Sequence, residues 1–173
     1  MLAMPGGQGN DDMIGVTQRS SAQLGPGGHW RNWVGNQSFI TRHKAEPGSE
    51  DELAALVREA SRQNLSIRVA GSGHSFTPIV ATSGLLLSLT NMQGLVSADL
   101  DRKRVVVRAG TTIGDIGRAL KEIGLSLVNQ GDIDTQAIAG ALSTGTHGTG
   151  NRSWLPVVPG GWHAAGSAGR VGL

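Results

Sequence analysis

The spacing of apolar positions changes several times along this chain, and the changes mark its elements. In EPGSEDELAALVREASRQN, Leu53, Leu56, Val57 and Ala60 fall at i, i+3, i+4 and i+7, which draws one apolar face on a helix of roughly 51 to 63. Ser49 precedes it and is followed three residues later by Glu52, a capping-box spacing in which each side chain can satisfy an orphan N–H of the first turn, and Asn64 supplies a left-handed stop. LSIRVA at 65–70 follows as a strand that exits into GSGHS. Further strands are predicted in LLLSL at 85–89, LVSADL at 95–100 and KRVVVRAG at 103–110, with Asp99 to Arg102 turning the last two into a hairpin. A second helix starts at Thr112, with Asp115 at the capping-box distance. It carries Ile113, Ile116, Leu120 and Ile123 on one face and closes at Gly124. Strands and helices mix without a regular βαβ alternation, which points to an α+β fold rather than a doubly wound sheet.

The two ends lack such periods. Residues 1–28 are crowded with Gly, Asn, Asp, Ser and Gln and are expected to form a flexible leader, so the folded part begins with HWRNWVGNQSF at 29–39. From 151 onward, NRSWLPVVPGGWHAAGSAGRVGL has no acidic residue and no period. It is expected to be a disordered tail or an out-of-frame end, because GC-rich DNA read in a wrong frame yields such mixtures. A length of 173 residues favours a single domain. With 27 glycines, no tyrosine and two phenylalanines, its core must rest on Val, Ile, Leu and Ala.

Charge and composition exclude more than they assign. The net charge of +2 arises from interspersed acids and bases, so nucleic acid is not an expected partner. The absence of cysteine removes disulfides, thiolate nucleophiles and Cys-based zinc sites together. No secretory signal is visible, and the longest apolar stretch, GLLLSL at 84–89, is far too short to span a bilayer. A cytoplasmic protein with no integral membrane segment is expected; a peripheral membrane contact is neither supported nor excluded.

Two stretches concentrate candidate chemistry. In IRVAGSGHSFTP at 67–78, a Gly-X-Gly turn after a strand lets backbone N–H groups converge into a nest for phosphate oxygens. It lacks the Gly-Lys-Ser/Thr of a P-loop, and plain strand punctuation is the alternative. In GDIDTQAIAGALSTGTHGTG at 131–150, small residues permit close approach to a flat ligand. The hydroxyls of Ser143, Thr144, Thr146 and Thr149 offer hydrogen bonds, and a packed helix with a glycine loop is the alternative. A metal held by His74, His147, Asp132 and Asp134 is disfavoured because neither histidine has HxH or HExxH spacing. Ser75 lacks the strand, elbow and helix of a nucleophilic serine, and His29, His43 and His163 read as surface residues.

Taken together, PGSEDELAALVREASRQNLSIRVAGSGHSFTPI and GDIDTQAIAGALSTGTHGTG resemble the PCMH-type FAD-binding domain of the vanillyl-alcohol-oxidase superfamily. The match is best to the D-arabinono- and L-gulono-1,4-lactone oxidases, with alditol oxidase as a near neighbour. The resemblance covers residues 30 to 150 or so, and implies an N-terminal subdomain followed by an incomplete second one. It implies backbone contacts to the FAD pyrophosphate from Ala70, Gly71, Ser72, Gly73 and Ser75. His74 then stands where these enzymes attach the flavin covalently, through an imidazole nitrogen bonded to the 8α-methyl carbon; a neutral imidazole is a competent nucleophile for such a bond. By the same carry-over, Asp132, Gly140, Ser143, Thr144, Gly145 and His147 lie along the flavin ring and phosphates. The implied reaction is oxidation of a CH–OH carbon on a sugar lactone or polyol, with hydride passing to the flavin and then to oxygen or another acceptor.

Members of that family are considerably longer: the remainder of the FAD domain and a substrate domain follow there where this chain gives NRSWLPVV, so the chain is expected to lack the substrate domain, and no catalytic residue on the substrate side can be named. Whether this chain is itself an enzyme is left open. Two alternatives stay beside the oxidase reading: a non-catalytic flavin-binding or interaction module, and a UDP-N-acetylmuramate reductase with noncovalent FAD and NADPH. The histidine directly after Gly-X-Gly argues against the second.

Overall fold

The structure, a computed structural model, describes residues 23–149 and 168–172. It opens with a hairpin, β1 (Gly25–Arg31) paired antiparallel with β2 (Ser38–Ala45). Folded structure therefore starts four residues before the expected boundary, and GPGG is strand rather than leader. Sterics explain the glycines: a Cβ on Gly27 would stand 2.0 Å from the Thr41 carbonyl oxygen, so the strands pair this closely only with glycine there. Residues 1–22 of the expected leader lie outside the described residues.

Next come α1 (Glu50–Arg62), β3 (Ile67–Ala70) and β4 (Leu85–Ser88). The four strands form one sheet in the order β1-β2-β4-β3, with β2 and β3 both parallel to β4. The Ser49 hydroxyl caps α1 by accepting from the Glu52 N–H at 3.2 Å, whereas the Glu52 carboxylate reaches back one residue further than a capping box requires, to the Gly48 N–H. Asn64 ends the helix at φ 53°. Leu56 and Ala60 are buried against Leu85 and Leu87, while Val57, expected on the same face, is 40% exposed at its margin. Full burial of a leucine in such a cluster contributes about 1.5–3 kcal/mol.

A second sheet contains β5 (Leu95–Asp99), β6 (Arg104–Arg108) and β7 (Ala168–Gly172), all antiparallel, with β6 in the middle. The expected turn forms: the Asp99 carboxylate accepts from the Arg102 N–H, and Lys103 takes φ 51°. Strand β7 falls in the tail expected to be disordered. For its five residues that expectation is corrected, because without them β6 would present an open edge of N–H and C=O groups, and backbone pairing needs no side-chain pattern. Residues 150–167 and 173 lie outside the described residues.

Helix α2 (Ile113–Glu122) is capped by Thr112, and α3 (Ile138–Ser143) follows. Ile113, Ile116 and Leu120 of α2 pack with Ile138 and Ala141 of α3 on Val105 and Val107 of β6, a second core distinct from the first. The fold is thus α+β, with one core per sheet. Residues 134–139 run along the link between β6 and α2: the N–H groups of Ile113 and Gly114 donate to the carbonyls of Gln136 and Asp134, and that of Ile138 donates to the carbonyl of Thr111. This pairing fixes the 131–137 segment beside the exit of β3.

Candidate functional site

Strand β3 ends on buried Ala70, and the chain then turns through Gly71–Ser75. Gly73 has φ 71°, in the left-handed region that a β-carbon penalises by about 1–2 kcal/mol. The loop's carbonyls are held by the connection between β1 and β2. The Trp33 N–H donates to the Gly73 carbonyl at 3.0 Å, Asn32 Nδ2 to that of Ser75 at 2.9 Å, and the amides of Asn36 and Gln37 both donate to that of Phe76. Asn32 is only 4% exposed, and its Oδ1 accepts from the N–H groups of Gly35 and Gln37 while Nδ2 also reaches Asn36. Meanwhile the N–H groups of Ser72 through Phe76 meet no acceptor among the described residues. A turn with its carbonyls anchored and its donors open is the arrangement an anion nest requires.

The second motif meets this loop at Thr135 and Ala137. Ser72 Oγ donates to the Thr135 carbonyl at 2.5 Å, and Thr135 Oγ1 lies 2.9 Å from His74 Nε2. A β-carbon on Gly71 would come within 3.3 Å of that of Ala137. The half-buried His74 ring stacks on Trp33, with centroids 5.2 Å apart and planes 22° from parallel. Beside Thr135, the Gln136 Oε1 is buried without a hydrogen-bond partner among the described residues, an acceptor that costs about 1–3 kcal/mol until a donor reaches it.

The remaining sequence-derived candidates sit around that contact rather than in it. Gly140 lies exposed on α3, with no atom within 4 Å of where its β-carbon would stand. Ser143 and Thr144 were expected to offer their hydroxyls outward. Instead each donates back along its helix, to the carbonyls of Ala139 and Gly140, as hydroxyls four residues on commonly do. Their oxygens remain acceptors. Gly145 ends α3 at φ 65°, Asp132 is exposed, and His147 is exposed with Nδ1 2.8 Å from the Gly148 carbonyl. His43, expected at the surface, is half-buried, with Nδ1 3.1 Å from the Gly25 carbonyl. Asn32, Trp33 and Thr135 were not singled out from sequence. Two asparagines, Asn32 and Asn36, flanking Gly35 between Trp30 and Phe39 were the available signal for the first, since Asn side chains hold turns.

The carboxylates held below the usual range lie elsewhere. Asp115 is lowered by the Thr112 hydroxyl and then Arg118, Glu59 by Gln63 and then Arg62, and Asp99 by the Arg102 N–H. A cavity of about 310 Å³ lined by Gly94, Leu95, Val107, Thr111, Asp115 and Ala119, among others, shares no residue with either motif. Among the described residues, no three His, Asp or Glu side chains gather as a metal site would require, and no helix is long and apolar enough to cross a membrane.

Comparison with known proteins bears directly on this arrangement. Residues 42–156 match a family model described as an FAD binding domain. The chain is 40% identical over 123 residues to an L-gulono-1,4-lactone dehydrogenase of Mycobacterium tuberculosis, covering 71% of this chain and 29% of the relative. It is 36% identical over 124 residues to a D-arabinono-1,4-lactone oxidase of Eremothecium gossypii, covering 69% and 23%. Its fold is similar to that of a cholesterol oxidase from B. sterolicum, with a TM-score of 0.64 at 22% identity over 70% of this chain and 24% of that one. The chain thus spans less than a third of the length of these relatives.

Proposed function

The chain belongs to the FAD binding domain family, and on that premise we propose that it forms the pyrophosphate-binding and flavin-tethering part of an FAD-linked sugar-1,4-lactone oxidoreductase. The observation that carries this reading is the junction at Thr135, where the glycine loop with its open N–H donors and the small-residue segment with its exposed Gly140 meet around His74.

The residues present fit the cofactor. The N–H groups of Ser72 through Ser75 would take the pyrophosphate, since converging amides bind anionic oxygens without a lysine or a metal. Gly140 leaves a surface over which a flat ring can approach. His74 would tether the flavin through its 8α-methyl carbon: Nε2 is engaged by Thr135, and Nδ1 has no protein partner among the described residues. Asp132, Gly145 and His147 would border the bound group as neighbours of the same segment. When bound, FAD supplies hydride acceptance from a CH–OH carbon of a sugar lactone or polyol, and oxygen or another acceptor then takes the electrons. The lactone specificity is carried over from the named relatives, which act on L-gulono- and D-arabinono-1,4-lactones.

The test is acid denaturation of the purified chain after incubation with FAD. Flavin absorbance that stays with the polypeptide, and is lost in His74→Ala, supports the tether. Flavin released quantitatively from the wild-type chain overturns it.

A further inference from the structure

We propose that Thr135 is the positioning residue for flavin attachment: its hydroxyl accepts the Nε2–H of His74 and so makes Nδ1 the nucleophile. The inference rests on the tethering role of His74 proposed above.

Three contacts converge on one ring. Thr135 Oγ1 is 2.9 Å from Nε2, Trp33 stacks on the ring face at 5.2 Å, and Nδ1 is left without a protein partner among the described residues. The threonine is itself fixed from the other side, because its carbonyl accepts from Ser72 Oγ at 2.5 Å. Loop and segment therefore hold each other through Thr135, and the ring is restrained both in tilt and in rotation. Which nitrogen of a neutral imidazole carries the proton is set by the bond the other one makes. If the hydroxyl donated to Nε2, the proton would sit on Nδ1, and neither nitrogen would present a free lone pair. If the hydroxyl accepts from Nε2–H, the lone pair stands on Nδ1, the unengaged atom. Thr135 is exposed, so its own hydroxyl hydrogen is free to point to water.

The bond-forming step balances on this arrangement. Nδ1 bonds to the flavin 8α carbon, which loses one hydrogen, and the ring loses its Nε2 proton along the Thr135 hydrogen bond to solvent. The electron pair released enters the flavin, which takes up two protons and is reduced. Dioxygen then reoxidises it and leaves as hydrogen peroxide. Positive charge develops on the imidazole as the new bond forms, and a hydrogen bond to a charging group is worth more than one to a neutral group.

The test is a time course of attachment after mixing FAD with the full flavin-free chain, read as flavin fluorescence on the denatured polypeptide, with reversible FAD affinity measured separately. Thr135→Val, which keeps the shape and removes the oxygen, should slow attachment about tenfold or more and leave reversible affinity within about twofold. Thr135→Ser should restore attachment to near the wild-type rate, which loss of packing alone would not predict. Attachment by Thr135→Val at the wild-type rate overturns the role of Thr135 while leaving the tether intact. A wild-type chain that holds FAD reversibly and never attaches it overturns the tether itself. Independently of FAD, nitrogen-15 NMR of the neutral His74 ring should find the proton on Nε2 in the wild type, and a proton on Nδ1 would refute the inference.

Discussion

Asn32 offers the sharpest test of how the glycine loop is held. Its side chain donates to the Ser75 carbonyl and to Asn36 Oδ1, and accepts from the N–H groups of Gly35 and Gln37, four hydrogen bonds from one amide that is 4% exposed. At about 0.5–1.5 kcal/mol net for each bond the gross sum is about 2–6 kcal/mol, and Asn36 is exposed enough for water to replace part of it. Asn32→Ala should therefore cost about 2–4 kcal/mol in urea unfolding followed by circular dichroism, with tryptophan fluorescence as the second probe. Asn32→Asp separates the two halves of the amide: it keeps both acceptor bonds but turns a carboxylate oxygen toward the Ser75 carbonyl. It should be as destabilised as Asn32→Ala at neutral pH and partly recover at low pH, where the protonated carboxyl can donate. Both variants should weaken FAD binding more than their stability alone explains, because the Ser75 carbonyl they free belongs to the glycine loop. Unfolding of Asn32→Ala within about 0.5 kcal/mol of the wild type would refute this, since surface changes stay within that range.

Gly140 is helical with open space beyond it, so Gly140→Ala should raise stability by up to about 1 kcal/mol in thermal unfolding, yet weaken FAD binding by filling the approach to α3; unchanged affinity would place the flavin elsewhere. Asp115 is held below the usual carboxylate range by Thr112 and Arg118, so its stabilising effect is present above the ordinary aspartate value and is lost as pH falls through the depressed one. Asp115→Asn should flatten the loss of helical circular dichroism below about pH 4, and an unaltered acid profile would show that this cap does not govern α2.

The elements legible in sequence were those whose side chains carry their own signal. α1 and α2 begin at Ser49 and Thr112 because a hydroxyl satisfies an N–H that no helix can, and a threefold-to-fourfold apolar spacing names the buried face. Strands β3 to β6 were visible as short Val, Ile and Leu runs, set within a residue or two of their ends. β1 and β7 were not, because Gly25–Arg31 and Ala168–Gly172 are glycine-rich and glycine has no side-chain period to read. At the site, Gly73 and His74 stood out because a left-handed turn demands glycine and an imidazole there is unusual. Asn32 and Thr135 act across 43 and 61 residues of chain respectively, and a single hydrogen bond at that separation leaves no local pattern. The hydroxyls of Ser143 and Thr144 were read as hydrogen-bonding groups, but that they donate to the carbonyls of Ala139 and Gly140 depends on a helix whose end the small-residue run does not mark.

The central claim, that the Gly71–Ser75 turn and the 131–145 segment form one FAD cradle around His74, is tested most directly by titrating FAD into the nitrogen-15 labelled chain and following its amide resonances. The amides of Ser72 through Phe76 and of Gly140 should move first and furthest, because those loop donors meet no acceptor among the described residues and that glycine faces open space. Binding that instead moves Gly94, Thr111 and Ala119 around the cavity of the second core, and leaves the glycine loop unperturbed, would contradict the account.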